Sequence, residues 1–180
     1  MSEFFNVLAP GDALRALLEQ LEPQVEEELV PTHQALGRVT SRAITSPEDL
    51  PAFPRSTMDG YSVRSSDTFG ASEALPAYLD VVGEVPMGQA PEVDLSSGQV
   101  ATAYTGGMLA QGADAVVMVE NTQSAEGSTI EVLRPVAPGE NVVQTGEDTR
   151  SGDEVLPAGH MVRPQDIGGA LALGITEVSV

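Results

Sequence analysis

Residues 50–63 read LPAFPRSTMDGYSV, and the other predicted elements are arranged on either side of this stretch. Pro51 and Pro54 hold its first half extended, because each proline fixes its own φ and moves the preceding residue out of the helical region. Asp59 and Gly60 are a turn dipeptide, since glycine readily reaches the positive φ that tight turns need. The stretch therefore predicts a rigid arm that ends in a turn.

The arm carries three side chains that are able to take part in chemistry. They are the carboxylate of Asp59 and the hydroxyls of Ser56 and Thr57. After the turn, residues 61–63 alternate between apolar and polar side chains, which is typical of a short strand. The arm would place these groups at the start of that strand. An ordinary proline-rich loop that enters a hairpin has the same pattern, so the pattern by itself does not establish a site.

The composition indicates a folded, β-rich protein. Of the 180 residues, 41% are hydrophobic, which is close to the value for a globular domain. Only 4% are aromatic, so the core must be built mainly from Val, Leu, Ala and Ile. The 18 glycines and 13 prolines are often set between short apolar runs, which favours strands joined by turns over a helical bundle.

Short strands are predicted throughout the middle of the chain. Apolar runs of strand length occur at residues 77–85, 100–104, 115–119 and 129–133. The last two runs flank residues 125–128, whose glycine and polar content predicts a hairpin turn. Strands at intervals of roughly ten to fifteen residues are typical of a small barrel or sandwich. We therefore predict a β-rich domain over residues 49–145.

Two helices are predicted near the ends of the chain. The first has Asp12 as its N-cap and Pro23 as its stop, and its apolar face consists of Leu14, Leu17, Leu18 and Leu21. The second begins at Pro164, because proline suits the first helical position. Gly168 and Gly169 weaken this second helix, which predicts a closely packed neighbour at that point.

The two ends of the chain are predicted to form one domain together. Residues 154–156 and 160–162 are expected to pair as a hairpin, and residues 177–180 form a last strand. Residues 1–48 and 146–180 would then make a discontinuous α/β domain. The predicted fold class is α+β and β-rich, with the small β-barrel or sandwich inserted into that domain.

Charge and cysteine content exclude several classes of function. The net charge is −19, from 27 acidic and 8 basic side chains, so nucleic acid and anionic membranes are poor partners. The absence of cysteine removes disulfides, thiolate nucleophiles and cysteine metal sites. No apolar run approaches the length of a membrane span. These features predict a cytoplasmic protein. Its eight basic residues leave little room for a site that binds an anion.

Further polar groups follow the predicted strands. Thr105 comes directly after one strand and is followed by Gly106 and Gly107, so its hydroxyl and the glycine amides could bind an anion. Glu120 ends the next strand, and residues 147–148 place two carboxylates in a glycine-bounded loop. Capped turns and solvated strand ends would have the same composition. No nucleotide-binding glycine motif is present.

Residues 56–63 resemble the S-x-M-D-G-Y-[AS]-V signature of the molybdopterin molybdotransferase family, which includes MoeA and the E domain of gephyrin. Other segments resemble further family motifs in the same order along the chain. They are ALGRV at residues 35–39, TGG at 105–107, GADAVVMVE at 112–120, PGENV at 138–142, GED at 146–148 and LGITEV at 173–178. The resemblance covers nearly the whole chain and corresponds to the N-terminal region of the family.

The resemblance implies an enzyme that inserts molybdate into adenylated molybdopterin with Mg²⁺, and that works as a homodimer with a shared cleft. Asp59 and Thr105 are the implied catalytic residues, and Asp59 is also a candidate ligand for magnesium or molybdenum. The implied substrate-binding residues are Ser56, Thr57, Gly106, Glu120, Glu147 and Asp148. Nucleic acid and membranes are not implied partners.

Two departures from the family pattern affect what this chain is expected to do. The family continues into an α/β domain resembling molybdopterin adenylyltransferase, which carries most of the pterin and molybdate contacts. This chain alone is therefore expected to be inactive and to hold no ligand. Pro54 and Gly107 replace the Asp and Ala that the family often has. The alternative function is a non-catalytic dimerisation or protein-binding module with the same fold.

Overall fold

The computed structural model describes residues 7–21 and 25–180. The helices are α1 Pro10–Gln20 and α2 Pro164–Ala172. The strands are β1 Leu29–Pro31, β2 Ile44–Thr45, β3 Arg55–Ser56, β4 Gly60–Val63, β5 Ala77–Glu84, β6 Gln99–Ala103, β7 Ala115–Met118, β8 Thr122–Ser124, β9 Thr129–Val132, β10 Val142–Val143, β11 Glu154–Leu156 and β12 Glu177–Ser179. Neither helix is long and apolar enough to cross a membrane.

A six-stranded sheet forms the middle of the molecule. Its strand order is β7-β4-β6-β5-β9-β8, and only the β5–β6 pair is parallel. Its core is rich in valine, as expected for strands whose side chains are buried. Val63, Val100, Val117 and Val132 are fully buried there. The β-rich α+β fold class predicted from the sequence is confirmed.

The two ends of the chain meet in a second core. Strand β1 pairs with β12, and β2 pairs with β11, so each small sheet joins an early segment to a late one. The buried side chains between them include Val30, Ile44, Leu156 and Val178. This arrangement supports a discontinuous terminal unit, and the boundaries at residues 49 and 145 stay a prediction.

Two predicted hairpins are wrong in their pairing. Strand β11 pairs with β2 instead of with residues 160–162, and Met161 bridges to Val39. Residues 125–128 do form a hairpin turn as predicted, but the turn joins β9 to β8, which was not among the predicted strands, while β7 lies at the opposite edge of the sheet. The locations of the strands follow from local sequence, but partners far apart in the chain are selected by the surfaces that they bury together.

Helix α1 differs from its prediction at its start. It begins at Pro10, with Ala9 as the N-cap residue, so Asp12 lies in its first turn and is not the cap. The predicted stop at Pro23 lies outside the described residues. All four leucines of its apolar face are between 54% and 58% exposed. That face is therefore available to another surface.

Helix α2 begins at Pro164 as predicted, and Gly174 follows it with a φ of 72°. The expected close neighbour of Gly168 and Gly169 is not found. Apart from the neighbouring residues and backbone of the helix itself, no described atom lies within 4 Å of a Cβ built at either glycine.

A buried carboxylate holds the start of α2. Oδ2 of Asp166 accepts hydrogen bonds from the backbone N–H and Nε of Arg163, each at 2.9 Å, and lies 2.8 Å from Nε2 of His160. The Asp166 side chain is only 6% exposed. The Arg163 side chain, followed by His160, holds the pKa of Asp166 far below its usual range. The ionised form is therefore strongly favoured in the folded protein.

We expect Asp166→Asn to reduce the acid sensitivity of folding. Because the folded-state pKa of Asp166 is depressed, its ionised form stabilises the protein above the unfolded-state pKa of about 4. This stabilisation is lost as the pH falls towards the folded-state pKa. The variant should melt at a lower temperature than the native protein at pH 7, and the difference should shrink between about pH 5 and pH 2.

Thermal melts of both proteins across this pH range test the expectation. Asp153→Asn is the control, because it removes the same charge from an exposed turn. If the native protein and Asp166→Asn lose stability in parallel as the pH falls, Asp166 does not supply this pH dependence.

Candidate functional site

The arm is tied to the loop at residues 105–107 through its backbone. The N–H of Ser56 donates to the carbonyl of Gly107 at 2.9 Å, and the N–H of Gly106 donates to the carbonyl of Ser56 at 2.8 Å. The other edge of the arm is held by β10, which pairs antiparallel with β3. The structure thus brings together two segments that were predicted separately to carry chemistry.

This contact joins the two predicted catalytic residues. Oδ1 of Asp59 accepts the backbone N–H of Thr105 at 2.8 Å and the Thr105 hydroxyl at 3.0 Å. These bonds, the backbone one first, lower the pKa of Asp59. The carboxylate is therefore held ionised at an exposed position, 46 residues away from its partner in the sequence.

A second carboxylate, which also directly precedes a strand of the six-stranded sheet, has similar bonds and shows what is different about Asp59. Asp114 also accepts the backbone N–H and the hydroxyl of one residue, Ser65, but it uses Oδ1 for the first and Oδ2 for the second. Both oxygens of Asp114 are engaged. Among the described residues, Oδ2 of Asp59 has no hydrogen-bond partner. Asp59 therefore has one oriented and one free oxygen.

The sequence allows the amides of the loop after β6 either to bind an anion or to form a capped turn, and the structure shows them hydrogen-bonded within the protein. The N–H of Thr105 donates to Asp59, that of Gly106 to Ser56, and that of Gly107 to the carbonyl of Tyr104 at 2.8 Å. All three amides are used within the protein. The Thr105 hydroxyl is the remaining donor of this loop that an incoming oxygen atom can engage, by displacing its bond to Asp59.

Gly60 is needed for a different reason from the predicted one. Its φ is not positive, so it is not a turn glycine. A Cβ at this position would overlap the backbone carbonyl oxygen of Val117 and lie 3.0 Å from Cα of Met118. Strands β4 and β7 therefore approach each other closely beside Asp59, which only glycine permits.

A pocket of about 220 Å³ lies next to Asp59, and its walls include Tyr61, Tyr104 and Val119. The hydroxyl of Tyr104 donates to Oε2 of Glu84 at 2.8 Å. This bond and the charge of Glu84, with a smaller effect of Asp59, raise the pKa of Tyr104. Sequence reasoning did not single out Tyr104 or Glu84. The only sequence feature that could have pointed to either residue is the position of Tyr104 directly before Thr105.

Asn141 is another residue that the sequence prediction left out of the site. Its backbone oxygen accepts the N–H of Thr57 at 3.0 Å, and its side-chain amide donates to the carbonyl of Val116 at 2.8 Å. Its φ of 61° is unusual for a residue other than glycine, although asparagine is among the best suited. Asn141 thus links the arm to β7. The side chain of Thr57, a predicted substrate-binding residue, is exposed.

The remaining predicted residues lie around the arm but are not bonded to Asp59. Glu120 is exposed in the short 3₁₀ helix after β7. Oε2 of Glu147 accepts the N–H of Gln144 at 2.8 Å, which closes its own turn. Oδ2 of Asp148 lies 3.9 Å from Nη2 of Arg55. In the part of the chain that the structure describes, no group of three or more His, Cys, Asp or Glu side chains could hold a metal ion.

Residues 8–174 match the family described as the MoeA N-terminal region, domains I and II. The chain belongs to this family. A putative molybdopterin biosynthesis protein of Methanocaldococcus jannaschii is 35% identical to it, over 97% of this chain and 43% of that protein. Molybdopterin molybdenumtransferase 2 of Mycobacterium tuberculosis is 37% identical, over 84% of this chain and 37% of that protein.

The fold agrees with solved structures of the same family. The crystal structure of the molybdopterin biosynthesis MoeA protein of Pyrococcus horikoshii OT3 superimposes with a TM-score of 0.87 at 42% identity. The match covers 94% of this chain and 45% of that one. The chain thus spans less than half the length of the relatives that it matches.

Proposed function

We propose that this chain is the N-terminal portion of a molybdopterin molybdotransferase, which inserts molybdate into adenylated molybdopterin. The observation that carries the proposal is the Asp59–Thr105 pair, which joins the family signature at residues 56–63 to the TGG segment at residues 105–107. Its carboxylate is ionised, oriented by two hydrogen bonds at Oδ1 and left with a free oxygen. Such a group suits a reaction in which charge and protons move between oxygen atoms.

Each of the two residues has a separate role in this proposal. Oδ2 of Asp59 accepts a proton or binds a cation at the reacting group. The Thr105 hydroxyl turns from Asp59 to donate a hydrogen bond to a substrate oxygen that becomes negatively charged. The pocket beside Tyr61 and Tyr104 gives part of the substrate a place next to both groups.

Magnesium is compatible with the residues present. It usually binds one or two carboxylates and completes its shell with water and substrate phosphates, so one exposed oxygen of Asp59 is an adequate protein ligand. When bound, the ion would neutralise charge on the phosphate of the adenylate.

The proposed partners follow from the charge of the chain and from the surfaces that it exposes. The chain has a net charge of −19, and the amides of the 105–107 loop are used internally, so an anionic substrate needs basic groups from elsewhere. We propose an adenylyltransferase-type domain or protein as their source. We also propose that the protein forms a homodimer whose two subunits share the cleft. Its proposed location is the cytoplasm. The alternative, a binding module, is favoured by the exposed leucine face of α1.

The test compares the full-length protein with the 180-residue chain. Each is incubated with adenylated molybdopterin, molybdate and Mg²⁺, and AMP release and molybdenum in the pterin product are measured. We expect activity from the full-length protein and none from the 180-residue chain, because the eight basic residues of that chain leave little room for an anion site. A reaction without molybdate is the control. A full-length protein that releases no AMP would favour the binding module.

A further inference from the structure

The buried hydroxyl of Ser56 shapes the turn that carries Asp59. Ser56 is 2% exposed. Its Oγ donates to the carbonyl of Met58 at 2.5 Å and accepts the N–H of Met58 at 3.2 Å. Both bonds end on the residue that directly precedes Asp59. A serine hydroxyl that bonds backbone two residues on defines a tight local turn.

The backbone of the same residue holds the other half of the site. The N–H and the carbonyl of Ser56 are bonded to Gly107 and Gly106, the two residues that follow Thr105. One residue is therefore joined to the Thr105 loop through its main chain and to the Asp59 turn through its side chain. No other described residue makes hydrogen bonds to both segments in this way.

We propose that Ser56 is a positioning residue, which holds the carboxylate of Asp59 against Thr105 and does not itself contact substrate. Its O–H donates to the carbonyl of Met58 and its oxygen is shielded from solvent, so the hydroxyl has no donor left to offer a ligand. Removal of the hydroxyl leaves the main-chain bonds to Gly106 and Gly107 intact. The fold should persist while the turn and Asp59 move. This inference deepens the proposed function, and only its kinetic part rests on that function.

The chain contains a matched control serine. Ser62 is also buried and makes two hydrogen bonds through its hydroxyl, which donates to the carbonyl of Ala101 and accepts the N–H of Ala110. It lies on β4, only six positions further along the chain, but none of its bonds reaches Asp59 or Thr105. Ser62→Ala therefore removes the same buried group from the next strand along the chain without releasing the turn.

The direct test is the NMR resonance of the Thr105 amide proton in the 180-residue protein. Its hydrogen bond to a carboxylate should shift this proton downfield. Asp59→Ala defines the position of the resonance when that bond is lost. We expect Ser56→Ala to move the resonance most of the way to that position. Ser56→Thr, which keeps a hydroxyl, and Ser62→Ala should leave it close to its native position.

Kinetics in the full-length protein give a second, independent measurement. With Asp59 out of place, Ser56→Ala should lower kcat about tenfold and leave KM nearly unchanged, because a misplaced catalytic group weakens the transition state more than substrate binding. Ser62→Ala should retain the native kcat. A raised KM with a native kcat would instead indicate that Ser56 binds substrate, and would overturn the proposal.

The two measurements separate failure of this inference from failure of the proposed function. An unchanged Thr105 resonance in Ser56→Ala overturns the positioning role, whatever the activity of the protein. If Thr105 shifts but the native full-length protein has no transferase activity, the positioning stands and the proposed function fails. If Ser56→Ala does not fold, the test rests on Ser56→Thr. A native Thr105 resonance in Ser56→Thr supports the requirement for a hydroxyl at residue 56, and a displaced Thr105 resonance contradicts it.

Discussion

Replacing Asp59 with alanine is expected to lower the rate of molybdenum insertion by the full-length protein about a hundredfold or more. The substitution removes both the free oxygen Oδ2 and the acceptor that orients the Thr105 hydroxyl. The side chain is exposed, so the midpoint of thermal unfolding should change little. Initial rates of AMP release at saturating molybdate, together with melting curves, measure the two effects separately.

Two further variants make this result specific. Asp59→Asn keeps an acceptor for Thr105 but replaces the charged Oδ2 with an amide, so it should be nearly as inactive as the alanine variant. Asp114→Ala removes a carboxylate with the same kind of backbone and hydroxyl bonds at the other end of the β4–β7 pair. It should lose stability and keep its activity. Equal activity losses at Asp59 and Asp114 would mean that the Asp59 bonds are merely structural.

Replacing Gly60 with alanine is expected to have the largest effect on folding. A methyl group at this position overlaps the carbonyl of Val117, which is backbone and cannot rotate away. Strands β4 and β7 would have to separate, breaking their antiparallel pairing and opening the core around Val63. We expect a loss of about 3 kcal/mol or more in the free energy of unfolding. Urea denaturation of the 180-residue chain measures this loss.

Gly168→Ala is the matched control for that measurement. Gly168 lies within helix α2, and no described atom outside the neighbouring turns of that helix lies within 4 Å of the Cβ that the substitution would add. The same chemical change should stabilise the protein there by about 0.5–1 kcal/mol, because alanine favours a helix more than glycine does. A Gly60→Ala protein as stable as the native one would show that β4 and β7 tolerate a wider separation.

Local sequence patterns predicted much of the fold because they report the conformation of nearby residues. Pro164 opens α2 as expected, since its fixed φ suits a helix start. Strand β5 occupies Ala77–Glu84, close to the predicted run. The prediction was less successful for the pairing of strands. It missed the pairing of β11 with β2 and that of β9 with β8.

The sequence was also only partly informative about the candidate site. It identified Asp59 and Thr105 through their motifs, but it did not show that one directly bonds the other. It assigned Ser56 a substrate-binding role from the family pattern, whereas the structure buries its hydroxyl within the turn. Asn141 and Tyr104 were not predicted, because their contacts involve segments distant in the chain.

Sequence patterns were therefore enough to assign the family and the β-rich fold class and to propose candidate residues for the chemistry. They were enough because motifs, proline positions and apolar periodicity are properties of short segments. The tertiary structure alone decided which strands pair, why residue 60 must be glycine and which oxygen of Asp59 stays free. These features depend on distances between atoms far apart in the sequence, and such distances exist only once the buried surfaces have packed together.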